Sequence, residues 1–127
     1  MPSLTFSSQH LPGVTVIAAA GEVDTPTAHL LDDYISRTRR HHGEHIVLDL
    51  SEVPYLDDSA LRVLLQTHVL AHRNGAGLHL AELQPGPAHL LRTTETEGLL
   101  NVHSSLEQAI RAALLAARPS PVGGGAS

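Results

Sequence analysis

The chain has 127 residues with an apolar fraction of 42%, enough for one domain with a real core and too little for two comfortable ones. A net charge of −5, one Phe, two Tyr and no Trp argue against a nucleic-acid partner, because phosphates call for Lys and Arg and bases for stacking rings. Cysteine and lysine are both absent, which excludes disulfides, thiolate chemistry, Schiff bases and a P-loop lysine.

In chain order, "LTFSSQH" (4–10) predicts a first strand that turns at Pro12-Gly13 into "VTVIAAAGEV" (14–23) as a hairpin. In the second strand Val14, Val16, Ala18 and Ala20 share one face and Ile17 takes the other. Asp24-Thr25-Pro26 reads as a helix start, with Thr25 as cap and Pro26 at the first helical position. Leu30, Leu31, Tyr34, Ile35 and Thr38 continue that helix, and Arg37, Arg39 and Arg40 suit its C-terminal turn. "HIVLDL" (45–50) predicts a central strand, with Ile46, Leu48 and Leu50 on one face.

A helix is expected from about Ser59 to Arg73, ended by "NGAG", with Leu61, Leu64, Leu65, Val69 and Ala71 or His72 as its apolar ridge. "GLHLAEL" (77–83) predicts a strand broken by Pro85-Gly86-Pro87. A short helix over Ala88–Thr94 and a brief strand over Leu100–His103 follow. Ser104 and Glu107 have capping-box spacing ahead of "LEQAIRAALLAAR", the final helix. The polar, low-complexity segment 119–127 is expected to be a disordered tail. The alternation of strands and helices predicts a single α/β domain with a mixed, mainly parallel sheet and helices packed over it.

No basic N-terminal run leads into an apolar stretch, and no segment approaches membrane-spanning length. The expected location is the cytoplasm, with no membrane partner. Ten histidines raise a metal question, chiefly at the pair His68 and His72 and at the cluster His41, His42 and His45. The pair lacks a third ligand of obvious geometry and the cluster precedes a strand in a polar turn, so no metal and no cofactor is expected. Nor do the residues suit a phosphoaspartate receiver or an aspartyl nucleophile, both of which want a lysine near the site. No Ser-His-Asp order or nucleophile-elbow pattern is present, and the chain is not expected to be an enzyme.

The segment "DLSEVPYLDDSALRVLL" (49–65) concentrates the chemistry. It places Asp57, Asp58 and Ser59 between a strand and a helix, at the carboxyl end where such folds gather their functional loops. Asp24 sits at another such end. Asp57 is the natural cap of the following helix. Asp58 suits an acidic recognition surface, a partial substitute for phosphate, or a charge favoured by the helix dipole. Ser59 suits either a helix cap or a modified hydroxyl.

"GEVD" (21–24), "VLDLSEVPYLDDSALRVLL" (47–65) and "VHSSLEQAI" (102–110) together resemble a STAS domain of the bacterial anti-sigma-factor-antagonist type, over about residues 4–116. The most specific part is an apolar strand, Asp-Leu-Ser, a short bend, and Asp-x-Ser-small-Leu opening a helix. The resemblance implies that Ser59 is phosphorylated by a partner that is both serine kinase and anti-sigma factor. It implies further that the unmodified form binds this partner and the phosphorylated form releases it. Asp24, Asp57, Asp58, Ala60 and Leu61 then fall on the partner-binding surface. In the kinase complex Asp57 would also help hold metal-bound nucleotide phosphates. Two positions depart from the family pattern: Ala60 replaces the usual glycine, and Asp58 replaces the usual Ser or Thr. The alternative is a STAS scaffold or ligand-sensing module that is never phosphorylated.

Overall fold

The computed structural model describes residues 4–117; the expected tail over 119–127 lies outside them. The elements run β1 (Thr5–Leu11), β2 (Val14–Ala20), α1 (Ala28–Thr38), β3 (His45–Glu52), α2 (Asp58–Arg73), β4 (Leu78–Ala81), α3 (Pro85–Thr93), β5 (Asn101–His103) and α4 (Leu106–Ala117). The sheet order is β1-β2-β3-β4-β5. β1 and β2 form the antiparallel hairpin, and every later neighbour pairs in parallel. Gly13 carries the hairpin turn at φ +71, and a Cβ there would stand 2.8 Å from the Cβ of Ala117. A side chain at 13 would therefore meet both backbone strain and the end of α4.

Strand alternation divides the apolar residues between two faces. Ile17 and Ala19 of β2, Ile46, Leu48 and Leu50 of β3, and Leu78 and Leu80 of β4 pack with α1, α2 and Leu91 of α3. Val14, Val16, Val47 and Ala81 face the other way, against Ala109 and Ala113 of α4. Each fully buried Leu or Ile contributes roughly 1.5–3 kcal/mol, so the aliphatic core compensates for the shortage of aromatics. Phe6 and Tyr34 stack with centroids 4.5 Å apart, and the Tyr34 hydroxyl donates to Ser8 Oγ at 3.0 Å.

Several boundaries differ from the sequence expectation for physical reasons. α1 begins at Ala28 with Thr27 as cap, so Thr25 and Pro26 belong to the turn before it. Arg40 is not a last-turn cation: it pairs with the fully buried Glu44 and donates to the Leu11 carbonyl. Glu44 also accepts from Thr15 Oγ1 at 2.6 Å. Burial alone would raise the Glu44 pKa, yet these donors and the Arg40 charge hold it below the ordinary carboxylate value.

β4 ends at Ala81 because Glu82 takes φ 62; its carboxylate receives the Leu106 amide at 2.9 Å and anchors α4. α3 starts at Pro85, three residues before the expected start, with proline at its first turn. A Cβ on Gly86 would stand 2.9 Å from the Pro54 carbonyl oxygen, so glycine lets α3 close onto the loop before α2. The cap of α4 is Ser105, whose Oγ accepts from the Gln108 amide at 3.1 Å, one residue later than the spacing of Ser104 and Glu107 suggests; Ser104 Oγ donates to Gln108 Oε1 at 2.7 Å. On α2 the buried ridge comprises Ala60, Leu61, Val63, Leu64, Thr67 and Ala71, while Val69 is 48% exposed and faces away from the core.

Candidate functional site

Two connections, β2–α1 and β3–α2, leave the carboxyl ends of adjacent parallel strands and are stitched together. The Gly21 amide donates to the Glu52 carbonyl at 3.0 Å, Val23 to Tyr55 at 3.1 Å, and Asp57 back to Val23 at 3.2 Å. Val23, Val53 and Leu56 are buried beneath the stitch. Local chain register therefore brings Asp24 and Thr25 beside Asp57, Asp58 and Ser59.

Asp57 is the N-cap of α2. Its backbone is extended and its Oδ1 accepts from the Ala60 amide at 3.1 Å. Its other oxygen, Oδ2, accepts from the Thr25 amide at 2.8 Å and from Thr25 Oγ1 at 3.1 Å. One carboxylate thus caps the helix and fastens the neighbouring loop to it. Ser59 is the second residue of α2, so it does not cap the helix. Its Oγ lies 3.1 Å from Thr25 Oγ1. Ser59 is half-buried and Asp58 exposed, and among the described residues neither Asp57 nor Asp58 has an ion-pair partner.

Asp24 lies on the same rim, but its carboxylate is engaged within its own turn. Thr27 Oγ1 stands 2.9 Å from Asp24 Oδ1 and accepts from the Asp24 amide at 2.9 Å. The Asp24 carbonyl accepts from the amides of Thr27 and Ala28. Ala60 is fully buried and Leu61 is 6% exposed, because both point from the core face of α2. Their side chains lie beneath the surface presented by Asp57, Asp58 and Ser59.

The sequence reading missed two features here. Thr25 is the hydroxyl that links the loops; its signal in the sequence is the Asp-Thr-Pro run, which also has the chemistry of a helix start. Tyr55, one of two tyrosines, is 50% exposed. It borders a groove of about 350 Å³ between the acidic loop and α3, with Asp57, Asp58, His89 and Leu90 among its walls. A larger open groove of about 950 Å³ runs along α4 and the Pro12-Gly13 turn; its walls are mostly apolar and carry no nucleophile.

The histidines are arranged otherwise than their spacing suggests. His68 Nδ1 accepts from the Leu78 amide at 3.2 Å, which turns that nitrogen to the backbone and away from a shared ion with His72. His41 and His42 are exposed while His45 is buried. His45 instead joins a chain across three strands, His45 Nδ1 to His79 Nε2 at 3.3 Å and His79 Nδ1 to His103 Nε2 at 3.2 Å. Burial, with His45 and His103 alongside, lowers the His79 pKa to about 4. Among the described residues no group of three or more His, Cys, Asp or Glu is placed to hold a metal ion. Nor is any helix among them long and apolar enough to cross a membrane.

The site is therefore a half-exposed hydroxyl at a helix N-terminus, set among uncompensated carboxylates: a place to modify or to recognise. A curated relative named anti-sigma F factor antagonist, from Paenibacillus polymyxa, is 28% identical over 101 residues, covering 79% of this chain and 84% of its own length. A solved structure of an anti-sigma factor antagonist from Mycobacterium paratuberculosis superposes with a TM-score of 0.75 at 24% identity, over 87% of this chain and 94% of that one. The anti-sigma factor antagonist SpoIIAA in its unphosphorylated form shares the fold, with a TM-score of 0.65 at 15% identity over 85% and 96% of the two chains. The STAS domain model matches residues 5–109, and the chain belongs to the STAS domain family.

Proposed function

We propose that the protein is an anti-sigma factor antagonist that acts in the cytoplasm, and that phosphorylation of Ser59 by a kinase anti-sigma factor switches its binding off. The observation that carries this reading is the position of Ser59, a half-buried hydroxyl on the first turn of α2, with Thr25 at 3.1 Å and Asp57 and Asp58 preceding it. The name of the curated relative supports the general role. The partner surface comprises the partly exposed rim at Asp24, Asp57, Asp58 and Ser59, extended by Tyr55; Ala60 and Leu61 support it from within the core. The protein itself performs no catalysis in this scheme.

The switch is electrostatic. Phosphate adds about −1.5 to −2 charge to a rim that already holds the carboxylates of Asp24, Asp57 and Asp58. Two unit charges about 5 Å apart interact by roughly 3 kcal/mol at an effective dielectric of 20, and less where water and salt screen them. The penalty is largest where a docked partner excludes water. A pull-down from native cells identifies the partner, and intact mass after incubation with it and ATP reports modification of Ser59. In calorimetry, Ser59→Ala keeps wild-type affinity, Ser59→Asp weakens it, and phosphorylation weakens it roughly tenfold to a hundredfold, which is about 1.4 to 3 kcal/mol. Equal affinity across all four forms overturns the switch and leaves a scaffold role.

A further inference from the structure

The contact between Thr25 and Ser59 has a direction, and that direction can be worked out from proton counting. Thr25 Oγ1 carries one proton and has two neighbours, Asp57 Oδ2 at 3.1 Å and Ser59 Oγ at 3.1 Å. Asp57 Oδ2 also accepts from the Thr25 amide at 2.8 Å, and Oδ1 from the Ala60 amide at 3.1 Å. A carboxylate that gathers three donors is acting purely as an acceptor. The Thr25 proton is therefore committed to Asp57. The contact with Ser59 is then a hydrogen bond only if Ser59 donates.

We infer that Thr25 is the positioning residue of Ser59: its Oγ1, held by Asp57, accepts the serine proton, fixes the serine rotamer and leaves the Ser59 lone pairs facing outward. The inference rests on the proposed role of Ser59 for its consequence, although the geometry stands without it. Among the described residues Ser59 Oγ has no second hydrogen-bond partner, so Thr25 alone aims it. A serine held this way offers an attacking oxygen of fixed direction to a phosphoryl donor, and orientation of a reacting atom is a large part of what phosphoryl transfer requires. Thr25 touches no nucleotide in this arrangement; it acts through Ser59.

The same counting says what modification does. Transfer from a nucleoside triphosphate replaces the Ser59 O–H bond with an O–P bond and releases the diphosphate and a proton. The esterified oxygen has nothing left to donate, while the single Thr25 proton remains on Asp57. The Thr25–Ser59 link is lost, and with it one of the ties between the β2–α1 turn and α2. Asp24, next to Thr25, thus lies on the segment that this loss loosens.

The test needs no kinase. Three-bond Hα–Hβ couplings of Ser59 in the unmodified protein report a single staggered rotamer when the hydroxyl is held. Thr25→Val keeps shape and the backbone bond to Asp57 but removes the acceptor, and the couplings collapse to the average of a free rotor. Thr25→Ser restores them. A Ser59 that is already averaged in the wild type overturns the inference without any variant, and one that stays fixed in Thr25→Val overturns it as well. A general loosening of the fold would instead average neighbouring side chains and lower Tm in all variants. Failure of the kinase or affinity experiments leaves these couplings unchanged, so the two readings fall separately.

Discussion

Replacing Asp57 by alanine removes a group with two separate duties, and the structure lets each be sized. As N-cap it accepts from the Ala60 amide at 3.1 Å, and losing such a cap costs typically about 1 kcal/mol. As a clasp it accepts from the amide and hydroxyl of Thr25 at 2.8 and 3.1 Å. A hydrogen bond contributes about 0.5–1.5 kcal/mol net, and Thr25 is exposed enough for water to take over part of that. The sum is about 2 kcal/mol, or roughly 8 °C in Tm for a domain of this size. Asp57→Asn separates the duties. Its amide oxygen still caps the helix, but the amide nitrogen then faces the Thr25 donors, so about half the loss is expected. Urea unfolding followed by circular dichroism measures both variants, with Ser59→Ala as a control that loses at most about 1 kcal/mol, because Ser59 caps nothing and gives up only its bond to the exposed Thr25. An Asp57→Ala protein within about 0.5 kcal/mol of wild type would refute the double role.

Ala60→Gly trades a buried methyl for backbone freedom. With Ala60 fully buried, the helix-propensity loss of up to about 1 kcal/mol and the lost methyl of about 0.8 kcal/mol predict about 1–2 kcal/mol of destabilisation in urea; an unchanged midpoint would put the methyl outside the core. Acid should destabilise the protein through His79. Its folded pKa of about 4 lies below the ordinary 6.5, so the unfolded chain takes up a proton first, and stability present above about 6.5 is lost as the pH falls toward 4. At about 1.4 kcal/mol per unit the loss is about 3 kcal/mol, and His79→Gln should flatten that part of a stability–pH curve. An unaltered slope in the variant would mean that the ring is already charged or solvated in the fold.

The elements that were legible in the sequence are those in which one pattern dominates. "VTVIAA" and "HIVLDL" are near-continuous apolar runs, and their two faces pack against different helices as strands buried on both sides require. Legibility failed where a side chain answers to a distant partner. Thr25-Pro26 has the chemistry of a helix start, but Thr25 is drawn to Asp57, thirty-two residues away. Val69 satisfies the spacing of the α2 ridge yet is 48% exposed. The Asp-Asp-Ser cluster was readable because its three members are consecutive. The hydroxyl that completes it was not, because parallel pairing of β2 with β3 brought it there. His45, His79 and His103 are likewise assembled only when three parallel strands align.

The position of Ser59 also bears on how the proposed switch would act without unfolding its own domain. A phosphate on the first turn of α2 meets the partial positive charge of the helix terminus, which favours an anion by about 0.3–1 kcal/mol at an exposed site. Against this stands repulsion from Asp57 and Asp58. In bulk water a unit pair about 4 Å apart costs about 1 kcal/mol, and salt reduces it further. In the free protein the helix terminus offsets part of this repulsion and water and salt screen most of the rest, so the proposed modification costs the fold less than it costs a complex. Docking removes the water that screens the carboxylates, while the helix terminus gains no second anion to hold. The same charges that water screens in the open would then oppose the complex, and the energetic consequence of the proposed phosphorylation would fall mainly on binding.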